Sequence, residues 1–295
     1  MKRKRITLSQ KQNINGWSFL TPAVLLILFM NFVPMIRSLI LSLKTGIGAD
    51  MKFVGLHNYL RIFQDGVFLQ ALKNNFFYLI IQVPIMLVLA LILASALNKK
   101  DLKCKGIFRT AIFLPCATTL VSSALIFRSL FAVDGFVNTL LIQLGILDTG
   151  YNFLGNAMSA KMIIIFVLVW RWTGYNMVFY LSALQNVEYS IYEAAKIDGA
   201  SSLQTFWKIT VPLLKPTILL TTIMSTNGTL QLFDESVNLT NGGPANATIT
   251  MSHYIYNASF KYVPNFGYAA AMSYLILILV AILAFVQLKV GDKRD

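Results

Sequence analysis

Asn227, Gln231 and Asp234 are three polar residues in and just after an otherwise apolar run, "TILLTTIMSTNGTLQLF" (217–233). Their i, i+4, i+7 spacing predicts one shared face of a helix. Amides and a carboxylate arrayed this way can hydrogen-bond the hydroxyls of a polyhydroxylated solute. The flat ring of Phe233 offers a face for its C–H surfaces. A second polar group is "VWRWTGYN" (Val169–Asn176), in which Arg171 stands between Trp170 and Trp172. Such groups are costly in an apolar helix unless they meet protein partners or a water-filled cavity. Two readings stay open: a solute pathway lined by Asn227, Gln231, Phe233, Asp234, Trp170 and Arg171, or polar contacts holding neighbouring helices together.

No residue set points to covalent chemistry. The chain has no Walker-type phosphate loop, no G-x-S-x-G and no H-E-x-x-H. Cys104, Cys116, His57 and His253 have no metal-ligand spacing, and neither cysteine is placed for a disulfide. The expectation is a protein that is not an enzyme, with no catalytic residue, no metal and no cofactor of its own. Four N-x-S/T sequons begin at Asn227, Asn238, Asn246 and Asn257, and none is read as glycosylated.

The elements that carry these residues must cross a membrane. Of the 295 residues 56% are hydrophobic and only 13% charged, with a mean hydropathy of +0.64. That is about half the charged fraction of a soluble domain. Uncharged runs such as "FFYLIIQVPIMLVLALILASAL" (Phe76–Leu97) have the roughly 20 residues a helix needs to span the hydrocarbon. Six spans are predicted, near Trp17–Leu43, Phe76–Leu97, Thr110–Phe131, Met162–Leu184, Pro212–Phe233 and Tyr268–Lys289. The fold class is therefore all-α integral membrane protein. "MKRKR" before the first run is read as the flank of a retained span, because the run is too long for a signal peptide and no small-residue cleavage site follows.

The basic residues give the orientation. Sixteen of the 25 lysines and arginines fall before the first span, in 98–109, in 185–215 and in the tail; six fall in the alternate loops. Arg37, Arg128 and Arg171 lie in spans. The basic side is the cytoplasmic one, so both termini are predicted inside. The formal charge of +13 is thereby accounted for by topology, without nucleic acid. Residues 1–16 form a basic cytoplasmic N-terminus, and 17–295 form one transmembrane domain with a cytoplasmic loop at 185–211.

That loop, "YEAAKIDGASSLQTFWKITVPLLKP" (Tyr192–Pro216), is polar where its neighbours are apolar. Tyr189–Asp198 is predicted as a short helix, with Gly199 free to take the left-handed conformation that ends it. Ser201 and Gln204 form a capping-box pattern for a second short helix. Leu203, Phe206 and Trp207 put an apolar stripe on that helix, and Phe206 and Trp207 are read as holding the hairpin to the rest of the chain.

The order Glu193-Ala194-Ala195, three residues, Gly199, nine residues, Ile209, one residue, Val211, Pro212 resembles the EAA loop of permease subunits in binding-protein-dependent ABC importers. "EAAKIDGA" is similar to the carbohydrate-uptake branch in particular. "FAVDGFVNTLLIQLGI" (Phe131–Ile146), "LFDESVNLTNGGPANAT" (Leu232–Thr248) and "FGYAAAMSYLI" (Phe266–Ile276) resemble further segments of that branch, in the same order. One departure is Val187-Glu188, where the family usually has an apolar residue and proline.

The resemblance implies a type I importer-like fold and a permease subunit that moves a sugar (oligosaccharide, disaccharide or polyol) across the cytoplasmic membrane. It implies that Glu193, Ala194, Ala195, Asp198, Gly199 and Ala200 lie at or beside the contact with a cytoplasmic ATPase, on which ATP and Mg would act. A second similar permease and an extracellular solute-binding protein would complete the complex. Outer loops 44–72 and 234–266 are read as the receiving surface for that binding protein. The alternative is an ion-gradient-driven secondary transporter, for which neither an inverted repeat nor a convincing midplane carboxylate is present.

Overall fold

Apolar runs without charge become helices in a bilayer because every backbone N–H and C=O must then find its partner within the segment. The computed structural model describes residues 7–47, 50–99 and 102–291. Of the residues used above for sidedness, Lys2, Arg3, Lys4, Arg5, Lys100, Lys293 and Arg294 lie outside the described residues.

The first apolar stretch is α1 (Leu8–Ile27) continued by α2 (Val33–Ser42), joined through a wide π-type turn at Leu28–Phe32. Pro34 follows that turn and has no N–H to return to the preceding turn, which is a standard cause of such widening. Phe206–Thr210 repeats the device ahead of Pro212. A short hairpin, β1 (Lys44–Thr45) with β2 (Lys52–Phe53), and α3 (His57–Ile62) lead to α4 (Gly66–Leu97). Asp65 caps α4 by accepting from the N–H groups of Val67 and Phe68 at 2.9 and 3.2 Å. At 32 residues, α4 starts ten residues before its predicted span and is about 48 Å long at 1.5 Å per residue.

The third predicted span is not one helix. It is α5 (Lys105–Ala117) and α6 (Leu120–Leu130), bent by 95° at Thr118-Thr119, both extended. α7 (Phe136–Gln143) and α8 (Ala157–Gln185) follow, and α8 is continuous. Gly174 lets α5 approach α8 backbone to side: a Cβ there would collide with the Ile112 carbonyl. The cytoplasmic-loop candidates are α9 (Ser190–Ile197) and α10 (Ser202–Thr205), and α11 (Val211–Leu213) ends against α12 (Lys215–Leu230) with a 72° bend. Pro216 sits in the first turn of α12, where its missing N–H costs nothing. α13 (Met251–Tyr256) and α14 (Phe266–Gly291) complete the chain.

Four helical stretches, Lys11–Ser42, Gly66–Leu97, Ala157–Gln185 and Phe266–Gly291, are long and apolar enough to cross a membrane, and the two bent pairs raise that to as many as six. α4 and α8 form the centre, packed through Val83, Met86, Leu87, Ala90, Met177 and Tyr180. α12 packs on both, α14 packs on α12, and α2 rests on α14. The first stretch is otherwise unburied within the chain.

Candidate functional site

Between α4, α8 and α12 lies a cavity of about 520 Å³, within the roughly 300–1,000 Å³ of small-molecule sites. α4 contributes Gln82 and Met86; α8 contributes Leu168, Trp172, Tyr175 and Asn176. Leu120 comes from α6, and Met224, Ser225, Gly228 and Thr229 from α12. Gln231, Leu232, Phe233, Asp234 and Glu235, the turn after α12, close the wall. Among the described lining residues there is no lysine, arginine or histidine. A second, more open hollow of about 470 Å³, lined by Phe131, Tyr151, Phe153, Met158 and Phe166 among others, contains none of the residues singled out from the sequence.

Gln231, Phe233 and Asp234 thus line one cavity, but not as a single helix face. α12 stops at Leu230, and Gln231 has left the helix with φ −99° and ψ 13°. The cause is a side chain from α4. Asn75, fully buried, donates from Nδ2 to the carbonyls of Thr229 and Leu230 at 2.8 and 3.2 Å, satisfying acceptors that a continued helix would have used. Its Oδ1 accepts from Met251 N at 2.9 Å. Asn227 stays exposed beside the cavity and accepts from Gln231 Nε2.

Trp170 and Arg171 do not line the cavity. Trp170 packs edge-on against Phe127, with ring centroids 5.0 Å apart. Arg171 is 5% exposed and reaches into the α5–α6 break. It donates to the Thr118 carbonyl at 2.7 Å and to Ser123 Oγ at 3.1 Å, with longer bonds to Thr118 Oγ1 and the Pro115 and Cys116 carbonyls. The orphan carbonyls at a helix C-terminus, and its partial negative charge, are what a guanidinium satisfies best. Trp172, its neighbour, faces the cavity instead.

Polar residues not singled out from the sequence tie the helices around the cavity together. Thr229 Oγ1 donates to Gln82 Oε1 at 3.0 Å, and Gln82 Nε2 donates to Met86 Sδ at 3.1 Å. Tyr180 and Thr221 share a hydroxyl bond of 2.6 Å between α8 and α12. Asn74 Nδ2 donates to the Ile249 carbonyl at 2.8 Å. The one local signal was "NN" at Asn74-Asn75, directly before an apolar run.

The segment after α12 turns back on itself. Ser236 Oγ donates to the Thr248 carbonyl at 2.9 Å and lies 2.9 Å from His253 Nδ1. Burial, with help from Lys261, lowers the His253 imidazole to about 4, so the ring is neutral at ordinary pH. Glu235 is 4% exposed, and its Oε1 has no protein partner. Burial pushes its carboxyl up to about 7; its own backbone N–H opposes this, Asp234 adds to it and Arg171 opposes it.

The polar loop is built as its sequence predicts. Gly199 takes φ +75° after α9, and Ala200 N donates to the Ala195 carbonyl at 2.9 Å. The capping box is complete: Ser201 N donates to Gln204 Oε1 at 2.8 Å and Gln204 N to Ser201 Oγ at 3.3 Å. Glu193, Ala194, Asp198 and Gly199 are exposed, Ala200 is half-buried, and Ala195 is buried beneath them. The apolar stripe divides. Phe206 packs on the α4–α8 core, whereas Leu203 and Trp207 are 69% and 56% exposed. Trp207 touches Phe206 edge-on but, unlike Phe206, does not hold the hairpin to the rest of the chain. Ile197, 85% exposed, joins the uncovered apolar face.

Residues 65–292 match the family model described as the inner membrane component of binding-protein-dependent transport systems. The lactose transport system permease of Rhizobium radiobacter is 50% identical over 292 residues, covering 98% of each chain. The multiple sugar-binding transport system permease of Streptococcus mutans is 35% identical, covering 95% of this chain and 96% of its own. Among solved structures, a chain of a bacterial alginate ABC transporter, crystallised with its alginate pentasaccharide-bound periplasmic protein, superposes with a TM-score of 0.85 over 98% of both chains, at 21% identity. That likeness speaks for the fold.

Proposed function

Because the chain belongs to the inner membrane component family of binding-protein-dependent transport systems, we propose that it is the sugar-conducting permease subunit whose 520 Å³ cavity forms part of the solute path. It is a multi-pass protein of the cytoplasmic membrane and not an enzyme; hydrolysis of ATP belongs to a partner subunit. Family membership removes the ion-gradient-driven reading. The observation that carries the proposal is the cavity wall: amides, hydroxyls, two carboxyls and three aromatic rings, with no lysine, arginine or histidine among the described residues. That chemistry suits a neutral, hydroxyl-rich solute. The names of the lactose and multiple-sugar relatives point the same way.

The finer architecture is part of the same reading. Six spans with both termini cytoplasmic follow from counting each bent pair once and from the basic loops. The loop 185–211 then lies in the cytoplasm, where Glu193, Ala194, Asp198, Gly199 and Ala200 present the contact for an ATPase carrying ATP and Mg. Ala195, buried, sets the hairpin beneath that surface rather than touching the partner. Asn227, Gln231, Phe233 and Asp234 belong to the path; Trp170 and Arg171 belong to its scaffold. The cavity opens beside exposed Asn227, and a second permease would close it.

The test is co-purification. The tagged chain, solubilised in mild detergent from its own host, should bring down a soluble ATPase and a second multi-span protein identifiable by mass spectrometry. Elution of the chain alone, under conditions that keep other such complexes intact, would overturn the reading.

A further inference from the structure

One oxygen of Glu235 takes no part in holding the fold. The residue is buried to 4% exposure on the cavity wall and its Oε1 meets no protein donor. A buried acceptor left unpaired is expensive and rare in native proteins. Several amide and hydroxyl donors nearby are engaged elsewhere. Gln231 Nε2 donates to Asn227, Gln82 Nε2 to Met86, Asn176 Nδ2 to the Trp172 carbonyl and Thr229 Oγ1 to Gln82. Arg171 uses both terminal nitrogens on the α5–α6 break; its buried Nε has no hydrogen-bond partner among the described residues, but Arg171 is not part of the cavity wall. Among the described residues the wall carries two carboxyls and no cation, beside the Trp172 indole N–H and the Tyr175 and Ser225 hydroxyls. Its complement is a ligand that brings hydrogen-bond donors and no negative charge.

We propose that Glu235 accepts a hydroxyl of the transported solute and thereby restricts the cavity to neutral saccharides and polyols, excluding uronates and sugar phosphates. This rests on the reading of the cavity as the solute path. Carboxylate and phosphate groups are acceptors only, so they would face Asp234 and Glu235 with no cation in the wall. A hydroxyl both donates to Glu235 and accepts from a remaining amide N–H.

The experiment uses the intact transport system in its own host, with the chromosomal copy of this chain deleted and variants supplied on a plasmid. Uptake dependent on this chain is measured for lactose, raffinose, maltose and glucitol, and for lactobionate, galacturonate and glycerol 3-phosphate. The expected result is uptake of at least one neutral probe and of no anionic one. Glu235→Leu then lowers its maximal rate roughly tenfold, the scale of one buried hydrogen bond lost. Glu235→Gln, which keeps an acceptor, stays within about threefold of the unmodified chain on the same scale. Monodeoxy analogues of the transported sugar supply the decisive reading. Removing one particular hydroxyl should slow the unmodified chain but not Glu235→Leu, a coupling in which the unchanged binding protein cancels. If Glu235→Leu fails to reach the membrane, the same cycle is run on Glu235→Gln, with a smaller coupling expected at the same hydroxyl.

Gly228→Trp separates this proposal from its premise. Gly228 lines the cavity and has nothing within 4 Å of an added Cβ, so a side chain can start there without meeting a neighbour, and an indole is large enough to obstruct the space. Normal uptake by Gly228→Trp would overturn the path itself. A blocked Gly228→Trp beside an unimpaired Glu235→Leu, or no coupling at any hydroxyl, would overturn the role of Glu235 alone. Uptake confined to the anionic probes would overturn the neutral-solute restriction.

Discussion

Arg171 donates to the carbonyl of Thr118 across 2.7 Å, and through that bond α8 closes the 95° break between α5 and α6. The guanidinium also reaches Ser123 Oγ on the far side of the break. One buried cation thus ties together the end of one half-span and the start of the next.

Replacing Arg171 should therefore act on stability before it acts on selectivity. Arg171→Met removes the guanidinium donor from the Cys116 and Thr118 carbonyls, while Pro115 keeps Thr118 Oγ1, at about 1–3 kcal/mol for each buried group left unpaired. Arg171→Lys keeps the charge but loses the fork that serves both sides of the break. Thermal unfolding of the detergent-solubilised chain should place Met below Lys and Lys below the unmodified protein. Equal melting of the Met variant and the unmodified chain would refute the clamp.

How far the sequence alone could lead is visible in this same residue. Arg171 was conspicuous in an apolar run, but its partners lie 48 to 56 residues away, and hydropathy averaged over a span hides a right-angle bend. The same blindness affected Asn227, Gln231 and Asp234. Their spacing was legible, but the helix was stopped at Leu230 by Asn75, 154 residues distant from Thr229. The capping box at Ser201 and Gln204 and the left-handed Gly199 were legible because caps and turns are decided within a few residues. α4, α8 and α14 were legible because uninterrupted apolar length is itself the signal. The wall residues Gln82, Asn176 and Glu235 were not, since one polar residue on a helix face looks alike whether it lines a cavity or meets a neighbour.

Asn75 supplies the next expectation. Asn75→Leu removes two donations to α12 and the acceptor for Met251 N. With these buried backbone groups unpaired, the loss should be about 2–4 kcal/mol, read as a lower unfolding midpoint. The turn carrying Gln231, Phe233 and Asp234 should also loosen, seen as faster amide exchange at 231–235 by mass spectrometry. Loss of stability without faster exchange there would mean that Asn75 does not hold that turn.

Gly199 tests the proposed ATPase contact. It is exposed, holds φ +75° and has nothing within 4 Å of an added Cβ. Within this chain a side chain therefore costs only the left-handed backbone, roughly 1 kcal/mol and less for Asn or Asp. Gly199→Asp should insert normally but lose uptake and ATPase co-purification, whereas Gly199→Asn should retain part of both. Full uptake by a well-expressed Gly199→Asp chain would count decisively against an ATPase contact at this turn.

Asp65 ties together one end of the bundle, accepting from the Tyr254 and Tyr268 hydroxyls at 2.7 Å each while capping α4. Burial raises its pKa, but Tyr268, Tyr254 and the Phe68 and Val67 N–H groups outweigh it, leaving the carboxyl below the usual value of 3.8. A depressed carboxyl stabilises the fold above the unfolded-state value and loses that contribution as pH falls through the folded-state one. The unfolding midpoint of the solubilised chain should fall on acidification below about pH 4, the range in which free Asp titrates. Asp65→Asn should be less stable at pH 7 and flatter in acid; an unchanged acid slope would remove Asp65 as its source.

Glu235 should show the opposite slope. Its folded-state value, raised by burial to about 7 from an ordinary 4.5, means that the folded chain holds a proton the unfolded chain has already released. That contribution to stability is complete below about pH 4.5 and is lost as pH rises to about 7. Asp234 strengthens the effect and Arg171 weakens it, so Asp234→Asn should shift the fall to lower pH. Melting of the solubilised chain between pH 5 and 8 should decline with rising pH more steeply than in Glu235→Gln, which cannot titrate. Parallel curves for the two proteins would mean that Glu235 is ionised throughout, with water or Arg171 satisfying it in the folded state.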